Sequence, residues 1–220
     1  ATRHFSFASY HGPDRVHWGA LRVWNDDTIQ PGTGFPPHPH ADMEIITYVR
    51  TGAISHRDSL GNSGRTAAGD VQVMSAGSGI VHSEYNHEDV DTTLFQIWIL
   101  PESTDQPPAW GTREFPKQER SGQLVALASG YVQDTDALPI RTRSRVSGAT
   151  LKAGQKIIYQ FEHPGRYGYL VPATGAVSVN GIELQTRDGG AITGEKQIEI
   201  VALDDAEIVL VDTPALPGQD

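Results

Sequence analysis

Short runs of β-branched and aromatic residues recur along this chain, and Gly, Pro, Asn and Asp lie between them. Helical periodicity is almost absent, and regularly spaced short strands are typical of all-β sandwiches and barrels. The pattern therefore predicts an all-β fold. The runs are ALRVWN (20–25), MEIITYV (43–49), AISH (53–56), VQVMSA (71–76), TLFQIWIL (93–100), QLVALAS (123–129), KIIYQF (156–161), YGYLVP (167–172), AVSVNGIELQ (176–185), QIEIVAL (197–203) and EIVLVD (207–212).

Two hairpins stand out among these runs. In VSVNGIEL, Asn180 and Gly181 supply the two positive-φ positions of a type I′ turn between alternating segments. The stretch LGNSG (60–64) has the composition of a second hairpin loop.

The stretch PESTDQPPAWGTREFPKQERSG (101–122) is rich in proline and charge and divides the chain of 220 residues into two parts with a similar rhythm. A chain of this length can form one large domain or two smaller ones. We expect an N-terminal barrel over 1–105, a linker over 106–122 and a second barrel over 123–220. The two halves are too dissimilar to be read as a sequence repeat.

Composition excludes several classes of function. Lysine and arginine total 17 against 27 acidic residues, a net charge of -10, which argues against direct binding to nucleic acid or to an anionic membrane. The chain has no cysteine, which excludes disulfides, iron–sulfur clusters and thiolate zinc sites. No apolar run approaches the roughly 20 residues of a membrane helix. These features fit a cytoplasmic protein without a membrane partner.

Two histidines lie one residue apart in PPHPHADMEI (36–45). The prolines on either side of His38 favour an extended backbone. Side chains at positions i and i+2 of a strand point the same way, so His38 and His40 should project together. A polar strand end beside a proline turn is the simpler explanation for this pair alone.

A second pair with the same spacing favours a metal site instead. In GIVHSEYN, His82 and Glu84 are two residues apart. Three imidazoles and one carboxylate from two extended segments can surround one ion. This donor set suits Fe, Ni, Cu, Zn, Co or Mn, whereas Ca²⁺ and Mg²⁺ prefer more oxygen ligands. Four protein ligands in an octahedral shell leave two positions open, unlike a closed structural zinc site.

The stretches FPPHPHADMEIITYVRTG and GDVQVMSAGSGIVHSEYN, followed by QIWILP, resemble the pirin family of bicupins, which includes bacterial quercetin 2,3-dioxygenase-type proteins. The resemblance covers residues 30–101 closely and implies two tandem cupin (jelly-roll-like) β-barrels. It implies that the first barrel binds one divalent transition metal, with Fe(II) as the first choice. The second half has a single histidine and no HxH pair, so we expect it to bind no metal. The implied ligands are His38, His40, His82 and Glu84.

Two positions depart from the general cupin pattern. Ser75 replaces the usual proline of the second motif, as it does in pirins. Glu44 is followed by seven residues before Gly52 rather than six. We therefore expect Glu44 to be an interior residue rather than a ligand.

The resemblance implies cleavage of a flat phenolic substrate, a flavonol such as quercetin, by O₂ with loss of carbon monoxide. Glu84 would serve as ligand and as base for the substrate hydroxyl. The pocket walls should be apolar, although each candidate could equally belong to the core. The candidates are Met43, Ile45, Met74, Phe95 and Ile97.

Alternative functions stay open. Some pirins act as redox-responsive modules that bind a protein partner without turnover, and the same ligands would serve that role. The substrate could also be another small enol or phenol. We expect His56 to lie at a strand edge or line the pocket. The other histidines are expected to have no ligand role: His4, His11, His17, His87 and His163.

Overall fold

The computed structural model describes residues 2–6 and 16–217, and within these ranges the regular secondary structure is almost entirely β-strand. The one helical element among the described residues is a 3₁₀ turn at Lys117–Arg120. The prediction of an all-β fold is confirmed. The strands are β1 (Thr2–Arg3), β2 (Leu21–Ile29), β3 (Gly34–His40), β4 (Glu44–Thr51), β5 (Ala53–Asp58), β6 (Ser63–Ala67), β7 (Val71–Ser75), β8 (Ile80–Tyr85), β9 (Thr92–Ile99), β10 (Ala109–Arg113), β11 (Val125–Ser129), β12 (Leu138–Pro139), β13 (Arg145–Leu151), β14 (Lys156–Gln160), β15 (Tyr167–Thr174), β16 (Val177–Val179), β17 (Ile182–Leu184), β18 (Gly190–Thr193), β19 (Gln197–Ala202) and β20 (Ala206–Thr213).

The chain forms two compact units. The first comprises Ala1–His17, Leu21–Phe115 and Leu138–Thr142, and the second comprises Trp18–Ala20, Pro116–Ala137 and Arg143–Asp220. No helix in the described part of the chain has the length and hydropathy needed to cross a membrane.

The first unit contains two antiparallel sheets. The larger has the strand order β1-β2-β9-β4-β7-β10, and the smaller has the order β3-β8-β5-β6. A buried cluster joins them, since Ile29, Val49 and Leu94 of the larger sheet pack with Ile54 of the smaller one. The two sheets therefore face each other across a shared interior.

The second unit repeats this two-sheet plan with an apolar interior. One of its sheets runs in the order β11-β13-β20-β15-β18 and the other in the order β14-β19-β16-β17. Leu170, Ile208 and Leu210 of the first of these sheets share a buried cluster with Ile198 and Ile200 of the second. Full burial of such a side chain stabilises a fold by about 1.5–3 kcal/mol.

Strand β3 carries three prolines and lies at the edge of its sheet in the described structure. Proline lacks the N–H that other residues of a central strand donate to one neighbour or the other, so an edge position tolerates it best. The β3–β8 register shifts between Phe35 and His38, and this irregularity sets His38 directly opposite His82.

Both predicted hairpins are confirmed. Val179 pairs with Ile182, and Asn180 and Gly181 between them have φ angles of 48° and 85°. Arg57 pairs with Ser63, and residues 59–62 form the loop between β5 and β6.

The segment assigned to a linker contains a strand that the sequence pattern did not indicate. Residues Ala109–Arg113 form β10, which pairs with β7 in an antiparallel register that sets Trp110 opposite Met74. Strand β13 was also missed, because its sequence RVSGATL begins with arginine and has a glycine at its centre. A Cβ atom at Gly148 would lie 2.8 Å from Arg120 Nη1 and 2.9 Å from Leu127 Cδ1, so a larger residue there would require these side chains to shift.

Candidate metal centre

Strands β3, β8 and β5 bring six polar side chains onto one face of the smaller sheet, those of the five residues below and of His40. His38 of β3, His82 of β8 and Asp58 of β5 form one cross-strand row, because both neighbours pair directly with His82. In the next row, Glu84 of β8 pairs with His56 of β5. Directly paired residues point to the same side of a sheet, and so do residues two apart along a strand.

Three imidazoles converge at one end of this face. The nitrogens that His38, His40 and His82 could offer to an ion lie within 4.8 Å of one another. His38 Nε2 and His82 Nε2 are 3.1 Å apart. Nitrogens bound to one ion at distances of about 2.1 Å would take a similar spacing at neighbouring positions.

His38 and His40 each have a ring nitrogen that could bind an ion. The Pro36 carbonyl oxygen lies 2.7 Å from His38 Nδ1 and can only accept, so Nδ1 carries the hydrogen and Nε2 is bare. His40 Nε2 is buried without a hydrogen-bond partner. A buried nitrogen without a partner is costly unless something else satisfies it, and a metal ion fits that requirement.

Glu84 is buried beneath the histidines and is held by donors from the opposite sheet. Thr47 of β4 pairs directly with Gln72 of β7 on one side and Gln96 of β9 on the other. Gln72 Nε2 donates to Glu84 Oε1 at 2.5 Å, and Gln96 Nε2 donates to Oε2 at 2.8 Å. Thr47 Oγ1 lies 3.5 Å from Oε1. This row therefore orients the carboxylate inside the barrel.

Burial dominates the electrostatics of the centre. It raises the pKa of Glu84 to about 7, although the hydrogen bond from Gln72 opposes the shift. Burial and the neighbouring charge of His38 lower the pKa of His40 to about 4, and burial with the same neighbour lowers that of His82 to about 3. Both imidazoles are therefore neutral at physiological pH, which is the form that binds metals.

His56 is also part of this face. Its Nε2 lies 3.1 Å from Asp58 Oδ2, and its Nδ1 lies 3.4 Å from His82 Nδ1. The expectation of a strand-edge position is wrong, because β5 lies between β8 and β6 and His56 is buried. It instead packs behind His82.

The four ligands expected from the sequence fall into two overlapping groups that share His82. His38, His40 and His82 form one group, and His56, His82 and Glu84 form the other. Glu44 belongs to neither group. It is buried and accepts a hydrogen bond from Ser75 Oγ at 2.6 Å.

The remaining histidines are those that we expected to have no ligand role. His11 lies outside the described residues. The others that were expected to have no ligand role belong to neither cluster in the described part of the chain: His4, His17, His87 and His163.

An open cleft of about 440 Å³ adjoins His40. Its described lining differs from the predicted walls. Ile45 and Met74 are instead buried in a core cluster against which Met43 packs, and Phe95 and Ile97 are fully buried. The cleft is lined by Pro39, His40, Ala41, Ser59, Gly79, Ile80 and Val81.

Sequence reasoning missed the residues that support the ligands. Asp58 follows His56 at the same two-residue spacing that identified the ligand pairs, so this signal was present. Gln72 and Gln96 are polar residues within the apolar runs VQVMSA and TLFQIWIL. Trp110, which stacks on His56 with ring centroids 4.6 Å apart, lies on the unpredicted strand β10.

Two β-barrels in tandem, the first with a histidine cluster on its inner face, define a bicupin. Comparison with known proteins agrees. The Pirin family model matches residues 1–99, and the model of the quercetinase C-terminal cupin domain matches residues 126–213. A pirin-like protein of Caulobacter vibrioides is 64% identical over 212 residues, which cover 96% of this chain and 91% of that protein.

One similar relative and one similar solved structure come from Escherichia coli. The quercetin 2,3-dioxygenase of strain K12 is 39% identical over 211 residues, covering 96% of this chain and 89% of that protein. The crystal structure of the bacterial pirin YhhW in complex with nickel(II) matches with a TM-score of 0.90 at 38% identity, over 97% of this chain and 91% of that one. The chain belongs to the pirin family.

Proposed function

We propose that this chain is a metal-dependent dioxygenase that cleaves a flavonol such as quercetin. In this proposal His38, His40 and His82 hold one divalent transition metal, and Glu84 is the fourth ligand and the base. Iron(II) is the first choice, and nickel, cobalt, manganese, copper or zinc could occupy the same donor set. A flavonol and O₂ are consumed, and a ring-opened ester and carbon monoxide are formed.

The convergence of three imidazoles, those of His38, His40 and His82, next to an open cleft is the observation that carries this proposal. The buried, unpartnered Nε2 of His40 supports a bound ion over a purely structural cluster. When bound, a transition metal supplies Lewis acidity and positions for a substrate hydroxyl and O₂.

The protein's own groups would position and deprotonate the substrate. Ile80 lines the cleft next to His40 and offers an apolar contact to a flat ring. Glu84 would take the proton of the substrate hydroxyl on a carboxylate oxygen. Gln72 and Gln96 would hold that carboxylate in place while the proton is transferred.

Names of relatives support the reaction class. The Escherichia coli relative is named quercetin 2,3-dioxygenase, and YhhW was crystallised with nickel(II). The first indicates a flavonol and O₂ as substrates, and the second indicates that a pirin barrel accepts a divalent transition metal.

An aerobic assay on protein of measured metal content tests the proposal. We expect the flavonol absorption band to decay and carbon monoxide to be released, and we expect a chelator to abolish both. Glu84→Gln should lower kcat by at least about 100-fold, since general-base catalysis contributes about 10²–10⁴-fold. Glu88→Gln, which changes a carboxylate hydrogen-bonded to Arg65 at the surface, is the matched control and should leave turnover unchanged.

Metal-loaded protein that leaves every flavonol of a panel intact would contradict the proposal. It would favour the alternative of a redox-responsive binding module, for which affinity for a protein partner should change with the oxidation state of the metal.

A further inference from the structure

Asp58 and His56 form a buried pair behind the proposed ligands. Both side chains have an exposure of 0%, and Asp58 Oδ2 lies 3.1 Å from His56 Nε2. The indole of Trp110 stacks on the His56 ring with an angle of 6° between the planes. This stacking fixes the plane of the imidazole, so its two nitrogens have defined directions.

Each oxygen of Asp58 has a defined partner. Oδ1 accepts hydrogen bonds from the backbone N–H groups of Leu60 at 2.9 Å and Asn62 at 3.0 Å. Oδ2 accepts one from Asn62 Nδ2 at 2.9 Å and faces His56 Nε2. A carboxylate surrounded by donors can only accept, so the hydrogen of the Asp58–His56 contact is on His56 Nε2.

The hydrogen on His56 Nε2 determines which ring nitrogen of His82 carries a hydrogen. A neutral imidazole carries one N–H, so His56 with a hydrogen on Nε2 has a bare Nδ1. That nitrogen lies 3.4 Å from His82 Nδ1 and can only accept. His82 must therefore carry its hydrogen on Nδ1, which leaves His82 Nε2 bare.

A second chain of contacts meets the first at the metal centre. The carbonyl of Pro36 keeps the hydrogen of His38 on Nδ1, so His38 Nε2 is also bare. The two bare Nε2 atoms face each other at 3.1 Å. Two lone pairs at this distance repel each other unless a cation lies between them or beside both.

We propose that Asp58 and His56 are positioning residues that fix His82 in the tautomer whose Nε2 binds the metal. This inference rests on the metal centre of the proposed function and extends it beyond the ligands. Outer hydrogen bonds of this kind typically change metal affinity by about 10–100-fold.

The substitution Asp58→Asn should reverse the hydrogen-bond chain without changing its shape. Two backbone N–H groups point at the Oδ1 position, so the amide oxygen must take that position and the NH₂ must face His56. The side-chain amide of Asn62, which donates to Oδ2 in the wild type, would turn over and accept from this NH₂ through its oxygen. His56 would then accept at Nε2 and donate from Nδ1, and His82 would carry its hydrogen on Nε2, where the ion should bind.

Two measurements that do not depend on turnover test this series of hydrogen bonds from Asp58 to His82. The first is the ¹⁵N chemical shifts of the histidine ring nitrogens in metal-free protein at slightly alkaline pH, where imidazoles are neutral. We expect His82 to carry its hydrogen on Nδ1 in the wild type and on Nε2 in Asp58→Asn. The second is titration with zinc(II) against a competing chelator, for which we expect about 10–100-fold weaker binding by Asp58→Asn.

A second pair of variants keeps the test independent of how well Asp58→Asn folds. The terminal amide of His56→Gln can donate to Asp58 and accept from His82, whereas His56→Leu can do neither. We expect His56→Gln to keep most of the zinc affinity and His56→Leu to lose it. Asp70→Asn, whose Oδ1 accepts a hydrogen bond from the Phe115 backbone N–H, is the control for the Asp-to-Asn change.

The outcomes separate this inference from the proposed function. An Nε2–H tautomer of His82 in the wild type, or unchanged zinc affinity in both Asp58→Asn and His56→Leu, would overturn the inference even in an active dioxygenase. A wild type that shows the expected tautomer and zinc affinity but no flavonol turnover would overturn only the proposed function.

Discussion

At the scale of single residues, the interior of the first barrel is unusual because a carboxylate lies where an apolar core would otherwise form. Glu84 has an exposure of 1%, and side-chain donors from two strands of the opposite sheet contact it. A buried carboxylate is costly without such donors. The centre is therefore a polar network whose members depend on one another.

The variant Gln96→Met tests this dependence. It removes the donor to Glu84 Oε2 and keeps a similar volume, so part of the cost of burying the carboxylate is no longer offset. We expect the free energy of unfolding of the metal-free protein to fall by about 1–3 kcal/mol. Urea denaturation measures this change, and Gln118→Met at an exposed position is the control. Equal stabilities of Gln96→Met and wild type would show that the bond contributes nothing.

The ligand residues could be predicted from the sequence because period-two spacing on a strand is a local property. The two-residue spacing of His38 and His40 shows that their side chains point to the same side of a strand. The same spacing shows this for His82 and Glu84. Whether two such pairs meet depends on register, and the irregularity between Phe35 and His38 that sets His38 opposite His82 has no signal that periodicity can detect. The support from Gln72 and Gln96 depends on strand order, which is equally non-local.

At the scale of elements, the centre depends on how closely β3 approaches β8. A Cβ atom at Gly34 would lie 2.1 Å from the backbone oxygen of Glu84 and 2.6 Å from Tyr85 Cα. Backbone atoms of a paired strand cannot move aside as a flexible side chain can. Glycine at this position therefore sets the spacing between the two strands that carry the ligands.

We expect Gly34→Ala to force β3 away from β8. Overpacking of this kind costs about 1–3 kcal/mol, and zinc(II) affinity should fall with stability because His38 and His40 move away from His82. Gly111→Ala in β10 is the matched control, since its Cβ would meet Leu138 Cδ2 at 3.6 Å, an ordinary contact. Chemical denaturation and zinc titration report both quantities. Normal stability and affinity in Gly34→Ala would contradict this account of the strand spacing.

In the second unit, an ion pair joins the loop after β11 to β13. Arg145 Nε and Ser129 Oγ both donate to Asp134 Oδ2 at 2.6 Å. Burial raises the pKa of Asp134, but these hydrogen bonds outweigh it, so the net pKa is below its usual value. A carboxylate whose pKa is lowered by folding stabilises the folded state above its unfolded pKa and loses that contribution as the pH falls.

Asp134→Asn should therefore be less stable than wild type by about 1 kcal/mol at neutral pH, because the pair is partly exposed. The difference should shrink as the pH falls below the usual aspartate pKa of about 3.9. Urea midpoints measured at a series of pH values give this curve. Asp204→Asn at an exposed position should follow wild type throughout. A difference that persists unchanged in acid would assign the effect to packing rather than to charge.

Strand prediction succeeded where apolar alternation was strong and failed where packing decided. The run MEIITYV (43–49) overlaps all but the last two residues of β4, and the run EIVLVD (207–212) lies within β20. The sequence of β10 has a glycine at its centre and lies next to prolines, and it becomes a strand because β7 offers it a free edge for pairing. Such a contribution from a distant element leaves no local pattern.

At the scale of the whole molecule, two units of similar plan differ in what fills them. The second has a continuous apolar cluster shared by both of its sheets, whereas in the first a row of glutamines and Glu84 lies between the sheets. The resemblance of the two motifs to pirins predicted this bicupin architecture correctly. An apolar interior provides no donors for an ion, so we expect the metal to bind in the first unit alone.

The metal content of protein purified without chelators tests the central claim most directly. We predict about one divalent transition-metal ion per chain by elemental analysis, and its loss in His40→Ala, because metal binding requires the full set of neutral donors. Protein that is well folded but carries no ion after incubation with iron(II), nickel(II) or zinc(II), or His40→Ala protein that keeps its ion, would contradict the account.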